Sequence, residues 1–485
     1  MEKQSPQPSL WLSLFPLAFL MALLAANIAL FGDEASSGAN QLALLAAAAV
    51  AMGIGRFFLG IGYHTLERTV LASVTIAMQA VVILLVVGTL IGMWILSGIV
   101  PAMVYYGIRL INPAVFLLVA CLTCSIVSLA VGSSWSTMGT VGVALVAVGR
   151  TLGLPDSAVA GAIISGAYFG DKMSPLSDTT NLAPAAAGTD LFTHIRHMFY
   201  TTIPAYTLAL AAFIAVGLLY SPVEHGAAFI DEVAKAITTH FHVRWYLLLP
   251  PLIVIALAVC RVPALPALIA GVLLGAATAL LFQRPLLAGG ADVPLTLGKA
   301  YETLVVTAHS GFTMASGNEL IDTLFSRGGM LNMLPTILLI LTAMVFGGAM
   351  EATGMLPRIA RALMTLVHGT GSLVGATIGS CILFNLTAPD QYLSIVIPGR
   401  MFRSAYHEQG LAPRNLSRAL EDGGTVTSVL IPWNTCGAFA ASVLTVTTFT
   451  YLPFCFFNLL SPVISVSMAA LGMGIVRNAS PDHAS

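Results

Sequence analysis

The chain has 485 residues, of which 57% are hydrophobic and 8% are charged, whereas a soluble globular protein carries about 25% charged residues. This composition excludes a water-soluble globular protein and indicates an integral membrane protein. The formal net charge is −1, from 20 Lys and Arg against 21 Asp and Glu, so the chain has no excess of positive charge with which to bind nucleic acid.

Apolar segments long enough to cross a hydrocarbon layer of about 30 Å recur along the whole chain. The first, residues 10–31, has no charged residue and is longer than the roughly 7–15-residue apolar region of a cleaved signal peptide, so we expect a retained span. We predict an all-α polytopic membrane protein with about 11–13 membrane segments. The predicted segments are 10–31, 39–58, 71–97, 113–131, 156–188 (broken), 199–220, 245–260, 262–282, 330–353, 370–388, 415–447 (broken) and 450–475.

A small, polar run at residues 132–140 follows the segment 113–131 and leads into an apolar run that ends near Val148. This second run is too short to cross the membrane by itself. Non-helical backbone is tolerated at membrane depth only where it is buried in protein or lines a watery cavity. We therefore predict a re-entrant hairpin, with Ser134 and Thr137 at its polar tip.

Residues 170–181, with the sequence GDKMSPLSDTTN, interrupt an apolar, helix-length segment. A charge at mid-bilayer costs at least about 2.5–3.5 kcal/mol, so Asp171 and Asp178 need a partner, water or a function. Pro175 opens the helix and frees backbone carbonyls, and side-chain oxygens surround it. These oxygens belong to Ser174, Ser177, Thr179 and Asn181. An oxygen-rich pocket of this kind suits a hard cation such as Na⁺, although the same residues are also typical of a turn at the membrane surface.

Two further polar stretches lie between the predicted membrane segments. Residues 222–244 predict a solvated linker between the halves, and the spacing of His240 and His242 does not place them on one helix face for a metal. The small polar run 310–318, between His309 and Glu319, is typical of a further re-entrant element, a helix cap or a gate.

The chain contains an internal repeat. Pro175 aligns with Pro432 at an offset of 257 residues, and the same offset pairs Gly166 with Gly423. Upstream the offset is 256, and the two copies cover about 90–184 and 346–441. Matched interrupted helices of this kind are typical of a transporter site near the bilayer midplane. The distribution of Lys and Arg does not settle whether the second copy is inverted, but we expect inversion.

The second copy repeats the polar interruptions. Residues 421–425 and 431–435 fall in the corresponding broken helix, and residues 385–391 align with the predicted hairpin tip. The candidate ion-binding residues of this copy are Asp390, Asp422, Asn434 and Thr435. The acids of the two copies fall at different positions, so we predict an asymmetric site weighted toward the first repeat.

The chain divides into five predicted regions. These are the N-terminal helices (1–68), the first transport repeat (69–192), the connecting helices with the extramembrane linker (193–327), the second transport repeat (328–447) and the C-terminal helix with its tail (448–485).

Several catalytic and cofactor motifs are absent from the sequence. The Gly298-Lys299 pair is followed by Ala300, so there is no ATP-binding phosphate loop, and no H-E-x-x-H or G-x-S-x-G occurs. Cys121 and Cys124 form a C-x-x-C inside a predicted span, without other ligands at zinc spacing, so we assign them to packing. We predict that the protein is not an enzyme, needs no cofactor and draws energy from ion gradients.

The polar stretch 170–181 resembles the signature of NhaC-type sodium/proton antiporters, and residues 133–137, 423–425 and 431–435 resemble the other markers of that family. The resemblance covers most of the chain. It implies the fold of the ion-transporter superfamily, with inverted repeats that each hold a re-entrant hairpin and a broken helix. It also implies a bacterial cytoplasmic membrane protein, commonly a homodimer, and some relatives exchange organic acids.

We therefore predict exchange of Na⁺ for H⁺ by alternating access, with both ions competing for intramembrane carboxylates. Asp171 is the expected primary proton-binding acid, and the expected Na⁺ ligands are Asp171, Asp178, Thr179 and Asn181. The alternative is a Na⁺- and H⁺-coupled organic acid antiporter, in which Asn434, Thr435 and helix N-termini bind a carboxylate. Two observations argue against a third possibility, an intramembrane enzyme or a structural subunit. Catalytic motifs are missing, and the two copies have interrupted helices at matching positions.

Overall fold

The computed structural model describes residues 8–31, 38–110, 112–220, 227–290, 293–315, 322, 324–365, 367–388 and 390–478. Within these ranges the regular structure is helical, apart from two isolated β-bridges. Eight helices are long and apolar enough to cross a membrane, or up to ten if each bent pair is one span. The predicted all-α membrane fold is confirmed. Residues 222–226 of the predicted linker, residues 316–318 of the polar run and the flanking Glu319 lie outside the described residues.

The helices before the first broken helix are α1 (Leu10–Phe31), α2 (Ala39–Phe57), α3 (Tyr63–Ile76), α4 (Met78–Leu96), α5 (Ile99–Leu110), α6 (Pro113–Val131), α7 (Ser134–Thr137), a π-helical turn (Met138–Gly142) and α8 (Val143–Thr151). The next are α9 (Asp156–Met173), α10 (Asp178–Ala187), α11 (Leu191–Leu219), α12 (Ala227–His240), α13 (Leu249–Val259), α14 (Ala264–Phe282), α15 (Arg284–Ala288) and α16 (Leu297–Ser310).

The second half contains α17 (Leu334–Ala352), α18 (Met355–Met364), α19 (Thr370–Thr387), α20 (Gln391–Glu408), α21 (Pro413–Leu420), a π-helical turn (Glu421–Thr425), α22 (Val426–Ser428), α23 (Thr435–Leu444), α24 (Thr448–Tyr451) and α25 (Phe456–Ala470). Short 3-10 turns cover Trp245–Leu248, Leu331–Met333 and Leu452–Phe454.

Both copies contain a helical hairpin. In the first, α6 and α8 fold back on each other, since a Cβ atom on Gly149 would lie 3.1 Å from the ring of Phe116. In the second, the Thr377 and Tyr406 hydroxyl oxygens near the open end are 3.2 Å apart. A helical hairpin is therefore present at the predicted place, and its second arm extends to Thr151 rather than ending near Val148.

The helix boundaries reproduce the predicted repeat. Helix α4 maps onto α17 at an offset of 256 at both ends, and α10 maps onto α23 at an offset of 257 at both ends. Backbone conformation follows the same register, because Gly188 (φ +85°) maps onto Thr445 (φ +55°). Left-handed backbone is unfavourable for a residue with a Cβ atom, so the copy has kept the local conformation even where the glycine is lost.

The two copies run in opposite directions. Helix α9 starts at the open end of the first hairpin, where a Cβ atom on Gly149 would lie 2.6 Å from Val159, and α10 ends beside Arg403 of the second hairpin. Helix α23 ends back at the first hairpin, where the Arg150 guanidinium donates to the Thr445 carbonyl (3.3 Å). The hairpins therefore enter from opposite ends of the broken helices, and their tips meet near the centre. This arrangement confirms the expected inversion.

Candidate functional site

Four helix N-termini converge between the hairpin tips, and each has a polar side chain as its cap. Asp390 accepts hydrogen bonds from the amides of Tyr392 (2.9 Å) and Leu393 (3.2 Å) at the start of α20. The other caps are Ser133 for α7, Ser177 for α10 and Asn434 for α23. Because helix N-termini carry a partial positive charge, their convergence offsets part of the cost of burying carboxylates here.

Asp171 connects the first broken helix to the first hairpin tip. It lies in the last turn of α9 with 5% of its surface exposed. One carboxylate oxygen accepts hydrogen bonds from the Ser134 hydroxyl (2.6 Å) and the Ser134 amide (3.1 Å). Charge-assisted hydrogen bonds of this kind fix the position of the carboxylate relative to the hairpin.

A cavity of about 590 Å³ opens beside this junction. Its wall contains three carboxylates, Asp171, Asp178 and Asp390, and the hydroxyl-bearing Thr179 and Thr435. Asp178 is exposed at the first position of α10, whereas Asp171 and Asp390 line the cavity with only a small part of their surface exposed. The wall also includes Pro175 and Ser177, so the predicted helix break lies at the surface of the cavity.

Other predicted site residues hold the two breaks in place. Ser174 donates to the Leu129 carbonyl at the end of α6 (2.8 Å), and Asn181 donates to the carbonyls of Pro175 (2.9 Å) and Ser177 (2.7 Å). Asn434 donates to the Asn385 carbonyl (3.1 Å).

The remaining residue of the predicted hairpin tip, Thr137, donates to the Ser133 carbonyl (2.9 Å) and is fully buried. It stabilises the first turn of α7 and is not part of the cavity wall.

Asp422 does not join the other predicted acids. It lies in the π-helical turn of the second broken helix, fully buried, and forms an ion pair with Lys172. Lys172 follows Asp171 in the chain, but its side chain pairs with Asp422 and does not line the cavity. The structure therefore separates a cavity with three carboxylates from a buried ion pair between the repeats.

Arg261 lines the cavity but was not among the predicted site residues. It lies in the turn between α13 and α14 with a left-handed backbone (φ +63°), and its side chain is exposed. No salt bridge joins it to another residue within the described part of the chain. The only sequence signal is its position as a single charge between the predicted segments 245–260 and 262–282.

The chain matches known transporters over most of its length. The sequence profile of the Na⁺/H⁺ antiporter family matches residues 166–473. The "Na(+)/H(+) antiporter NhaC" of Alkalihalophilus pseudofirmus is 39% identical over 89% of this chain and 90% of its own length. The "Malate-2H(+)/Na(+)-lactate antiporter" of Bacillus subtilis is 36% identical over 90% of this chain and 88% of its own length.

The chain is also similar to a further antiporter and to a solved structure. The "Arginine/ornithine antiporter ArcD" of Halobacterium salinarum is 36% identical over 96% of this chain and 93% of its own length. Among solved structures, MtrF of Neisseria gonorrhoeae, titled as one of a class of antimetabolite efflux pumps, gives a TM-score of 0.33 at 13% identity over 96% of both chains.

Proposed function

Because the chain belongs to the Na⁺/H⁺ antiporter family, we propose that it exchanges Na⁺ for H⁺ across the cytoplasmic membrane of a bacterium by alternating access. The observation that supports this most is the placement of Asp171, Asp178 and Asp390 around one cavity, at the meeting point of two inverted hairpins. The homodimer that the family resemblance implies stays a prediction.

We propose that Na⁺ binds between Asp171 and Asp178, with the Thr179 hydroxyl as a further ligand. Both carboxylates line the cavity at the helix break, and Na⁺ prefers such oxygen ligands. Asn181 was predicted as a direct ligand, but its amide nitrogen is engaged with the two carbonyls of the break. We assign it the role of a positioning residue, which holds these carbonyls for the ion.

Competition for one carboxylate couples the two fluxes. A buried carboxyl group favours its protonated form, and a bound cation favours its ionised form. When the cavity faces the side with more H⁺, protonation displaces Na⁺, and on the other side Na⁺ displaces the proton. No covalent step is needed.

The test is a flux measurement with purified protein in sealed vesicles loaded with a pH-sensitive dye. Addition of external Na⁺ is expected to drive H⁺ out of acid-loaded vesicles, whereas choline at the same concentration leaves the internal pH unchanged. A panel of Li⁺ and K⁺ in the same assay reports the cation selectivity. Identical traces with Na⁺ and choline, in vesicles whose protein is folded, would contradict the proposed exchange.

The second candidate, Na⁺- and H⁺-coupled exchange of an organic acid, is favoured by one observation. The cavity of about 590 Å³ is much larger than a Na⁺ ion needs, and Arg261 lines it together with Thr435 at the N-terminus of α23. Arginine is well suited to bind carboxylates through two parallel hydrogen bonds. A substrate carboxylate is then expected at Arg261, with Na⁺ at the Asp171 end of the same cavity.

Arg261→Gln separates the two candidates. If an organic acid is a substrate, H⁺ movement depends on added malate or lactate, and this variant raises the apparent KM for the acid by about tenfold or more, since a hydrogen-bonded charged contact contributes about 1.5–3 kcal/mol. Arg244→Gln, with an arginine beyond the cavity wall, is the matched control. If malate and lactate have no effect on H⁺ movement by the wild-type protein, the second candidate is excluded.

A further inference from the structure

The most buried charged pair in the described part of the chain plays no part in the proposed exchange. Lys172 in α9 and Asp422 in the opposite repeat are both fully buried and form an ion pair. The Lys172 ammonium also donates to the Ser461 hydroxyl of α25 (3.2 Å). The pair thus joins three helices at the core of the two repeats.

The pocket around the ammonium is built from oxygen atoms. The Ser461 hydroxyl donates to the same Asp422 oxygen that accepts from Lys172 (2.6 Å), and Thr201 of α11 donates to the other oxygen (3.1 Å). The ring of Phe457 lies 5.8 Å from the Lys172 nitrogen, within the range of a cation–π contact. A carboxylate, a hydroxyl and an aromatic face together form a site for one monovalent cation.

The surroundings of Asp422 contain further charged or titratable groups. Arg418 and Glu421 are fully buried on the same broken helix, and His194 of α11 lies close enough to interact with both Lys172 and Asp422. Both carboxylate oxygens of Glu421 lack a well-formed hydrogen bond among the described residues, although the Thr425 hydroxyl lies beside them. Removal of the Lys172 ammonium would leave the buried Asp422 carboxylate without its ion-pair partner, which is costly inside a protein.

We propose that Asp422 and Ser461 form a second site for a monovalent cation, and that the tethered ammonium of Lys172 occupies it in place of Na⁺. The ammonium and Na⁺ carry the same charge and both prefer oxygen partners. Lysine occupies the site permanently because it is part of the chain, so the first repeat supplies a fixed cation to the carboxylate of the second repeat. This inference concerns binding at Asp422 and does not depend on exchange at Asp171.

The proposal predicts that Na⁺ can replace the missing ammonium. In Lys172→Ala, NaCl is expected to raise the melting temperature of the detergent-solubilised protein by several degrees more than in the wild-type protein, because a ligand that binds only the folded state stabilises it. Choline chloride at equal concentration controls for ionic strength. Methylammonium chloride is expected to rescue Lys172→Ala as well, since it supplies the lost group directly.

Two further variants make the outcome decisive. Lys172→Ala/Asp422→Asn removes both charges and is expected to show only the wild-type response to NaCl. Lys299→Ala, at an exposed lysine, is the matched control for loss of a lysine and is expected to behave like the wild-type protein.

A NaCl response of Lys172→Ala that is no larger than that of the wild-type protein would overturn the proposal, as would an equal extra NaCl response in the double variant. A Lys172→Ala protein that stays unfolded in high NaCl, while the double variant folds, would overturn it too. The wild-type response to NaCl reports the proposed transport site separately, so failure of the exchange proposal and failure of this one are distinguishable.

Discussion

Sodium-dependent H⁺ movement is expected to fall to background in Asp171→Asn. The asparagine side chain has nearly the same shape and its oxygen can still accept the two hydrogen bonds from Ser134, so the contact between α9 and the hairpin tip is retained. The variant loses the negative charge that holds Na⁺ and the group that takes up the proton. Both half-reactions are therefore lost, while the fold is kept.

The measurement is the vesicle assay with external Na⁺, together with the melting temperature of each variant. Asp178→Asn tests the second acid of the proposed site and is expected to weaken Na⁺ binding while leaving some exchange, because Asp178 is more exposed than Asp171. Asp231→Asn is the control, since this carboxylate is exposed on α12 away from the cavity. Wild-type exchange rates in Asp171→Asn would exclude Asp171 as the coupling residue.

Much of the fold was predictable from the sequence because membrane insertion leaves a strong compositional signal. Lipid-facing helices must be apolar over about 20 residues, so segments such as 39–58 and 370–388 could be located to within a residue or two. The internal repeat was predictable for a different reason. Duplicated helices keep the residues that set their packing and caps, as with Gly166 and Gly423.

Elements with a mixed composition were less predictable. Helix α20 carries Arg400, Arg403 and Glu408 and was not among the predicted spans, although it forms the second arm of a hairpin. Helix α11 begins eight residues before the predicted start of its span, because His194 and His197 interrupt the apolar pattern there. Both histidines are buried among other helices of the protein, and a hydropathy pattern does not distinguish that environment from water.

The candidate site was predictable in part. The break at 174–177 follows from a proline and a cluster of polar residues within an apolar helix, and the structure places six of the predicted site residues around one cavity. These six are Asp171, Ser177, Asp178, Thr179, Asp390 and Thr435. The partner of Asp422 depends on which side of α9 faces the second repeat. The approach of Arg261 to the cavity depends on how α13 and α14 pack against the hairpin. Neither the partner of Asp422 nor the position of Arg261 follows from a local sequence motif.

The close packing of α9 against the first hairpin makes Gly170 sensitive to substitution. A Cβ atom at this position would lie 2.5 Å from the Leu129 amide nitrogen and 2.5 Å from the Ser125 carbonyl oxygen, both in α6. These are backbone atoms, so they cannot rotate away as a side chain can. Gly170 precedes Asp171, so any shift of α9 away from α6 also moves the Asp171 carboxylate relative to Ser134.

We expect Gly170→Val to reduce Na⁺-dependent H⁺ movement at least tenfold and to lower the melting temperature by several degrees, because overpacking costs about 1–3 kcal/mol or more and here also displaces the site. Gly379→Val is the matched control, since a Cβ atom at Gly379 of α19 meets nothing within 4 Å and valine is tolerated in a helix at least as well as glycine. Measuring both the melting temperature and the flux distinguishes a loss of stability from a displacement of the Asp171 carboxylate. A Gly170→Val protein that is less stable but exchanges at the wild-type rate would show that contact between α6 and α9 does not position Asp171, and that the hydrogen bonds from Ser134 alone suffice.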